Sequence, residues 1–337
     1  MTSTAPRRRA LGGLLAASLA LTAAGCGGDS SDTASGSSGG TLRVGQLGSS
    51  KIYEALFAAS GAGEGMPYSV EYSLFPGGGP GFIEAARSGS VDLASMADTP
   101  PIFGQVAKAP VKIVAARHTV ASDSSVVEIL VPKDSPATSL QDLRGKKVAV
   151  TEATVLQYTT IRALEQAGMT YKDVQAVNLA PPDAATAFSG GDVDALAALD
   201  PQRSLLLAAG AKKVADGTGT TEGLGYVVAT DAALADPAKA ASVEDYVKRL
   251  RRAEAWADAH TPEWAQRYAE VSGLPLPVAT SVVEHEQDTW VPIDDAVVKA
   301  QQEQADVYTE LGLLPTRLDV TQEFDPRFNA AVAGGVQ

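Results

Sequence analysis

The sequence predicts an α/β protein with two doubly wound lobes, in which parallel strands carry helices on both faces. Short β-rich runs alternate with helix-like stretches along residues 42–116 and again along residues 147–215. Such alternation with short connections is typical of parallel strands joined by crossover helices. One residue pattern also recurs in both series, and a chain of 337 residues is long enough for two domains.

Each series contains four candidate strands and three candidate helices. In the first series we expect strands at 42–47, 68–75, 91–96 and 111–116, and helices at 52–62, 82–88 and 100–107. In the second series we expect strands at 147–151, 174–179, 193–199 and 212–215, and helices at 155–168, 183–188 and 202–209.

The repeated pattern places two aspartates six residues apart after a glycine that ends a helix. In the first series Asp92 opens a buried strand and Asp98 precedes a proline-started helix. In the second series Asp194 and Asp200 stand in the same relation. Proline suits the start of a helix because its missing N–H would be unpaired there. The shared spacing predicts that both series have the same β-α-β architecture.

Two further runs, at 126–133 and 225–230, are the candidates for crossover strands that join the lobes. After Asp231 the chain is expected to be helical, at 243–259, 262–271, 278–286 and 294–311. We expect this block to be a helical C-terminal extension along the outside of the first lobe. The predicted division is therefore 41–128 plus 226–337 for lobe 1 and 129–225 for lobe 2.

The first 25 residues have the pattern of a secretory signal peptide. Three arginines at 7–9 precede an uncharged run from Leu11 to Ala24, and small residues follow. The run has 14 residues, whereas about 20 are needed to cross a bilayer. The paired arginines also resemble a twin-arginine export signal, so the export route stays open.

Cys26 is the only cysteine and would become the new N-terminus after cleavage. The surrounding residues resemble the lipobox of bacterial lipoproteins, although Ala23 stands where those signals more often carry Leu. The resemblance implies lipidation of Cys26 and attachment to the outer face of the cell membrane. Residues 26–40 are mostly Gly, Ser, Asp, Thr and Ala, a composition typical of a flexible tether.

Charge and residue types exclude several classes of function. The formal net charge is −13, and an acidic surface repels phosphate backbones, so we expect no nucleic-acid partner. The chain has one cysteine and three dispersed histidines, which disfavours a disulfide, a Cys/His metal site and a hydrolytic triad. We therefore expect neither catalysis nor a cofactor.

Candidate ligand-binding residues follow the predicted strands. In parallel sheets, ligands bind beyond the carboxyl ends of strands, where helix N-termini offer unpaired N–H groups and partial positive charge. The glycine-rich loop 75–81 and a histidine after a strand are further candidates. Any one of these residues could instead be an ordinary helix cap or turn, so the prediction depends on their convergence across a cleft. The candidates are Gln46, Gly48, Ser49, Phe75, Gly78, Asp98, Thr99, His118, Thr151, Glu152, Thr154, Val155 and Asp200.

Several motifs resemble the substrate-binding proteins of nitrate, sulfonate and taurine ABC importers, a group related to thiamine-precursor binders. The resemblance implies a type II periplasmic-binding-protein fold, whose two lobes close on a small ligand, and an ABC permease and ATPase as partners of a monomer. The residues that carry it are Phe75-Pro76-Gly77-Gly78, Asp98-Thr99-Pro100-Pro101, Val131-Pro132-Lys133-Asp134, 140–149 and 190–201.

The resemblance favours an aliphatic sulfonate or a taurine-like ligand, with its anionic head near Thr99 and the loop 151–155. Two positions depart from this pattern. Glu152-Ala153-Thr154 stands where Lys-, Gly- or Ser-like residues are common, and Leu199 replaces a frequent aromatic residue. A zwitterion such as taurine, or an amine-bearing heterocycle, would tolerate Glu152 and Asp200 better than a plain anion, and nitrate is a further alternative.

A same-fold enzyme that acts on a sulfonate or a pyrimidine compound is the main alternative to a binding protein, because fold alone does not decide function. A cysteine-dependent enzyme is disfavoured, since Cys26 lies in the lipid signal. A histidine-dependent enzyme would rest chiefly on His118. A surface receptor without a transport role is the third possibility.

Overall fold

The structure is a computed structural model that describes residues 40–119, 127–219 and 223–333. It is an α/β fold with two sheets, which confirms the predicted fold class. The predicted signal peptide, Cys26 and nearly all of the predicted tether lie outside the described residues. In the described ranges, no helix combines the length and the apolar character needed to cross a membrane.

The first part of the chain alternates strand and helix as expected. Its elements are β1 Thr41–Leu47, α1 Ile52–Ser60, β2 Ser69–Phe75, α2 Gly79–Arg87, β3 Leu93–Ala97, α3 Thr99–Val106 and β4 Val111–Thr119.

The second part begins with a strand and then repeats the alternation. Its elements are β5 Glu128–Val131, β6 Lys147–Val150, α4 Val155–Gln166, β7 Gln175–Asn178, α5 Pro181–Gly190, β8 Ala195–Ala198, α6 Gln202–Ala208 and β9 Lys212–Asp216.

The last part is mainly helical. Its elements are β10 Leu224–Thr230, α7 Asp231–Ala235, α8 Pro237–Ala259, α9 Thr261–Ser272, α10 Leu276–His285, β11 Asp288–Val291, α11 Asp295–Glu310 and α12 Asn329–Val332. Short 3₁₀ turns lie at Leu140–Leu143, Tyr171–Asp173, Val320–Glu323 and Pro326–Phe328.

The strands form a six-stranded sheet in the order β11-β4-β10-β3-β1-β2 and a five-stranded sheet in the order β7-β6-β8-β5-β9. Within each sheet the three strands of the β-α-β repeat are parallel: β2, β1 and β3 in one, and β7, β6 and β8 in the other. The chain passes from the first sheet to the second between β4 and β5, and returns between β9 and β10. We call the part around each sheet a lobe.

The structure adds an antiparallel strand to the parallel repeat of each sheet. β10 runs antiparallel between β3 and β4, and β5 runs antiparallel between β8 and β9. Each run predicted as a crossover strand is therefore a central strand of the sheet that the chain enters. Every residue of β5 and β10 is buried, since central strands are covered on both faces. Glu128 consequently pairs in the second sheet, and Gly225 pairs in the first.

The C-terminal extension is not entirely helical, which corrects the prediction. β11 pairs antiparallel with β4 and forms an edge of the six-stranded sheet, with Trp290 opposite Arg117. The strand has four residues, too few for a visible alternation of apolar and polar side chains, so its pairing with β4 defines it.

The aspartate repeat is confirmed by matching hydrogen bonds in the two sheets. Asp92 Oδ2 accepts from the N–H of Arg43 in β1 at 2.9 Å, and its own N–H donates to the Arg43 carbonyl at 2.8 Å. Asp194 Oδ2 accepts from the N–H of Lys147 in β6 at 2.9 Å, and its N–H donates to the Lys147 carbonyl at 2.9 Å. Both aspartates thus fix the third strand of a repeat to the first.

An apolar cluster joins the two lobes at one side. Tyr308 of α11 packs edge-on against Phe103 of α3, with ring centroids 5.0 Å apart. Its ring also lies 5.9 Å from that of Tyr158 in α4, and Ile102 and Ile161 are fully buried in the same cluster. The N-terminal half of α4 is therefore packed on helices of the first lobe.

Replacement of Asp92 by Asn should destabilise the protein more than the same change at Asp194. The Asp92 side chain is 1% exposed and also accepts from the side chains of Arg43 and Lys239, so we expect a loss of about 3 kcal/mol. Asp194 is 46% exposed, so its loss should be about 1 kcal/mol. Urea denaturation at pH 7 measures the free energy of unfolding of both variants, with Asp192→Asn at an exposed position as the control. Equal losses for Asp92→Asn and Asp194→Asn would contradict the expected effect of their different burial.

Candidate ligand-binding cleft

A cavity of about 270 Å³ lies between the two lobes, at the carboxyl ends of β3, β4 and β8. The first sheet and α1 provide one wall, the second lobe provides another, and the elements from α8 to β11 provide the third. The first wall contains Ile52, Tyr53, Leu56, Met96, Ala97, Arg117, Gly223, Leu224 and Gly225. The second contains Val155, Leu199, Asp200 and Arg203. The third contains Glu254, Ala257, Asp258, Trp264, Val283, His285, Glu286 and Asp288.

The cavity has the mixture of side chains that small-molecule sites have. Aliphatic and aromatic groups come from both lobes, including Leu199 and Val155 from one and Tyr53 and Met96 from the other. A few polar groups stand among them, an arrangement that holds a small molecule by burial and orients it by polar contacts.

Arg117 at the end of β4 is held between two carboxylates. Its Nη1 donates to Glu254 Oε1 at 2.5 Å, and its Nε lies 3.0 Å from Asp288 Oδ2. Trp290 Nε1 donates to the second oxygen of Glu254 at 2.7 Å. Burial alone would lower the pKa of Arg117, but Asp288 and Glu254 raise it well above its usual value. The guanidinium charge is therefore permanent and already balanced.

Gly225 provides the space for this arginine. A Cβ atom at Gly225 would lie 3.0 Å from Arg117 Nε and 3.3 Å from its Cγ, because β10 runs directly beside β4. A larger residue would push the guanidinium away from its partners.

Arg203 in α6 has a similar arrangement in the second lobe. Its Nη2 donates to Asp200 Oδ2 at 2.7 Å, and its Nη1 donates to Glu128 Oε1 at 3.2 Å. The other oxygen of Asp200 accepts from the N–H of Ser204 at 3.1 Å, which caps the first turn of α6. Asp200 thus lines the cavity with both of its oxygens engaged.

Two carboxylates of the third wall form no ion pair within the part of the chain that the structure describes. Neither Glu286 nor Asp258 forms an ion pair with any residue in 40–119, 127–219 or 223–333, and both remain open to water at the cleft. Partial desolvation by the surrounding protein atoms, followed by the nearby charges of Asp200 and Asp288, raises the pKa of Glu286 to about 8. Burial raises the pKa of Glu254 to about 7, against the opposing effect of Arg117.

The lobes touch on the side of the cleft formed by α6 and α10. The hydroxyl oxygens of Ser204 and Ser281 lie 3.3 Å apart. Together with the packing of α4 on α3 and α11, this contact encloses the cavity from two sides.

Of the predicted site residues, Val155 and Asp200 line the cavity. The side chains of the other predicted residues in the loop before α4 form hydrogen bonds within the second lobe. Thr151 Oγ1 donates to the Leu179 carbonyl at 2.7 Å, and Thr154 Oγ1 accepts from the N–H of Leu156 at 3.2 Å. Glu152 is exposed and accepts from Asn178 at 3.2 Å, so its carboxylate faces away from the cavity.

The predicted pair Asp98 and Thr99 lies at the start of α3 but is covered by α11. Gln304 Nε2 donates to Asp98 Oδ1 at 3.2 Å and to Thr99 Oγ1 at 3.0 Å. Thr99 is fully buried, and burial raises the pKa of Asp98 to about 6. Asp98 lines a separate recess of about 500 Å³, walled mainly by the sides of α4 and α11.

The remaining predicted residues of the first lobe are not among the described residues that line the 270 Å³ cavity. Gln46 Oε1 accepts from the N–H of Tyr53 at 2.6 Å and so positions a residue that does. The Gly48 N–H donates to the Phe75 carbonyl at 2.9 Å, Ser49 is exposed, and Gly78 precedes α2 with φ +77°. His118 is half-buried in β4, opposite Leu224.

The glycine-rich loop serves helix packing. A Cβ atom at Gly79 would lie 2.3 Å from Pro100 Cγ, so glycine lets the start of α2 approach the start of α3. Phe75 packs edge-on against the buried Phe82, with ring centroids 6.2 Å apart.

Sequence reasoning missed the third wall, because the C-terminal extension was expected on the outside of the first lobe. His285 of α10 also lines the cavity. The only local signal is the acidic run at 284–288, which would suit an exposed turn equally well. Within the described residues, no group of acidic or histidine side chains is arranged to hold a metal ion.

Comparison with known proteins identifies relatives of the whole lobed region. A relative from Escherichia coli K12, named as an aliphatic sulfonates-binding protein, is 34% identical over 256 residues, which are 75% of this chain and 78% of the relative. The structure of the alkanesulfonate-binding protein SsuA from Xanthomonas axonopodis pv. citri bound to MOPS matches with a TM-score of 0.75 at 28% identity, covering 85% of this chain and 98% of that one.

The desulfurization enzyme DSZB has the same fold, with a TM-score of 0.57 at 16% identity, covering 86% of this chain and 97% of that one. This level of identity shows the fold alone. The model of the NMT1/THI5-like family matches residues 70–258, which is more than half of the sequence. The two-lobed fold, its inter-lobe cavity and these matches agree, and the chain belongs to the NMT1/THI5-like family.

Proposed function

We propose that the protein is the extracytoplasmic solute-binding component of an ABC uptake transporter, and that it captures a small organic sulfonate or taurine-like solute. The observation that carries this proposal is the 270 Å³ cavity between the lobes, lined by apolar and charged side chains from both. Its relatives named for binding sulfonates support the ligand class.

Capture would work through bending between the lobes. In the sheet orders given above, the chain passes from one sheet to the other at two places, after β4 and after β9. Two connections permit a hinge motion, and a ligand that contacts both walls stabilises the closed state. Leu199 and Val155 on one side and Tyr53 on the other are placed to make such contacts.

An anionic head group has a suitable neighbour at the start of α4. Val155 lines the cavity and is the first residue of this 12-residue helix, whose N-terminus carries a partial positive charge. Thr154 Oγ1 caps the N–H of Leu156, and the N–H of Gln157 donates to the Thr154 carbonyl at 3.0 Å, so the N–H of Val155 is the first-turn group proposed to contact a ligand. The loop 151–155 keeps its proposed role through backbone groups rather than through Glu152.

Binding without chemical turnover is the simplest use of this cavity. Among the described residues, its lining includes no Ser, Thr or Cys side chain, the usual hydroxyl and thiol nucleophiles, and the acidic side chains of Asp200 and Glu254 are engaged by arginines. We therefore propose a binding protein rather than an enzyme, acting as a monomer that delivers its ligand to a permease and an ATPase. The relatives with named binding roles are consistent with this assignment.

We further propose that Cys26 is lipidated, so that residues 26–40 tether the lobes to the outer face of the cell membrane. Lipidation with more than one acyl chain gives stable attachment, whereas one chain alone is marginal. The proposed lobes are 41–128 plus 226–337 and 129–225, except that Glu128 pairs in the second sheet and Gly225 pairs in the first.

Substitution of Leu199 by Trp should weaken ligand binding at least tenfold, because the indole would fill the cavity from the second lobe. Isothermal titration with a series of linear alkanesulfonates measures the affinity, and mass spectrometry of the ligand after incubation measures turnover, which we expect to be absent. Leu205→Trp is the matched control, since Leu205 lies in α6 with 38% exposure outside the lining. Equal affinities of the two variants would contradict the assignment of the cleft.

Substitution of Cys26 by Ser should release the protein from the membrane fraction into the soluble fraction of expressing cells. Removal of the thiol prevents acylation, and no helix in the described part of the chain is suited to replace the lipid anchor. Ser31→Ala in the same segment is the control and should stay at the membrane. Retention of the Cys26→Ser variant would refute lipid anchoring.

A further inference from the structure

We propose that α11 is a proton-dependent brace between the lobes, held on the first lobe by the protonated carboxyls of Asp98 and Glu323. Through its other contacts the same helix holds α4 of the second lobe. The inference concerns the side of the molecule where α4 packs on α11 rather than the ligand cavity. It does not depend on which solute the cleft takes.

Two buried carboxyls meet α11 through its glutamine side chains. Gln304 Nε2 donates to Asp98 Oδ1 at 3.2 Å, and Gln301 Nε2 donates to Glu323 Oε2 at 2.8 Å. Gln301 Nε2 also donates to the Asp98 carbonyl at 3.0 Å, and its Oε1 accepts from the Tyr226 hydroxyl at 3.1 Å. Both glutamines are buried and lie three residues apart, so one face of α11 makes all of these bonds.

The geometry around both carboxyls favours the neutral form. Asp98 and Glu323 are each 5% exposed, and no ion pair in the described part of the chain includes either of them. Glu323 Oε1 is shielded from water and accepts no hydrogen bond from a described residue, so a negative charge on it would be poorly compensated. Hydrogen-bond donors without a full charge offset such burial only in part.

The charged groups around Asp98 are mostly acidic. Burial raises the pKa of Asp98 to about 6, against the opposing hydrogen bonds from Gln304 and Thr99. Arg162, a cation of the same recess, already donates to Glu165 at 2.6 Å. The charged and titratable groups that face Asp98 come from α4, α11 and β10, and they are Arg162, Glu303, Asp306, Glu310, Tyr158, Tyr226 and Tyr308.

Glu323 borders a recess of about 240 Å³ together with two lysines and one aspartate, Lys108, Lys112 and Asp231. Lys112 Nζ is already engaged by the Gln322 carbonyl. Its charge lowers the pKa of Glu323 by less than burial raises it, and the pKa is about 8. Glu323 is therefore mostly protonated at neutral pH.

The contact of α11 with the second lobe links this region to the cleft. The ring of Tyr308 lies 5.9 Å from that of Tyr158 in α4, and Ala305 of α11 and Ile161 of α4 are fully buried in the same cluster. Val155, at the start of α4, lines the ligand cavity. A shift of α11 would therefore reach a wall of the cavity through α4.

Protonation stabilises the brace at low pH, and this stabilisation is lost as the pH rises. Both pKa values lie above that of an exposed carboxyl, so the stabilisation is complete below about pH 4. It is lost as the pH passes about 6 for Asp98 and about 8 for Glu323. Above that range both groups would carry a charge in the core, which favours release of α11 and of its contact with α4.

Hydrogen exchange of the ligand-free protein between pH 5 and 8.5, corrected for the intrinsic pH dependence of exchange, tests the brace. We expect the protection of amides in α11 and α4 to fall at least tenfold across this range. Amides of α9, which packs on α1 and α10, should keep their protection.

Isosteric neutral variants assign the effect to the two carboxyls. Asp98→Asn should remove the part of the fall below about pH 6, and Glu323→Gln should remove the part that continues to about pH 8. Glu286→Gln is the matched control, because the pKa of Glu286 is also raised but its side chain lines the ligand cavity. This variant should retain the whole fall.

Three results would overturn the inference. The first is protection of α11 that does not change with pH, or a fall that persists when both carboxyls are replaced. The second is a fall in α11 without one in α4, which would exclude a brace between the lobes. The third is an equal fall in α9, which would indicate general destabilisation. The contrast between α11 and α9 in the unsubstituted protein decides the matter if a variant does not fold, and the proposed function stands in every case because no ligand is present.

Discussion

The ion pairs of Arg117 determine where the C-terminal extension meets the first sheet. Arg117 ends β4, while its partners Glu254 and Asp288 belong to α8 and β11. Trp290 strengthens the same connection through its bond to Glu254. These contacts bring the third wall to the carboxyl ends of the strands and place its carboxylates beside the second lobe.

The two lobes and their β-α-β repeats follow from local patterns in the sequence. The aspartates 92 and 194 could be recognised because each repeats the same distance from a glycine and from a second aspartate, and each makes the same pair of backbone bonds. The antiparallel insertion of β5 and β10 was not predictable in this way. A fully apolar run has the same residue pattern in a parallel strand and in an antiparallel strand, so the sequence does not indicate the strand direction.

The site was predictable only in part, because its walls come from distant parts of the chain. Val155 and Asp200 follow strands and were found by the rule that ligands bind at carboxyl ends. Asp98 and Thr99 obey the same rule, yet Gln304 of α11 occupies their polar groups. Glu286 and Asp258 reach the cavity lining only through tertiary packing, and no spacing in the sequence indicates it.

The central claim is that a small solute binds between the lobes, in contact with both. A crystal structure of the protein grown with saturating taurine tests it most directly. The account predicts one ligand in the 270 Å³ cavity, in contact with Leu199 or Val155 of the second lobe and with Tyr53 of the first. A ligand bound instead in the recess beside Asp98, or contacting one lobe alone, would contradict it.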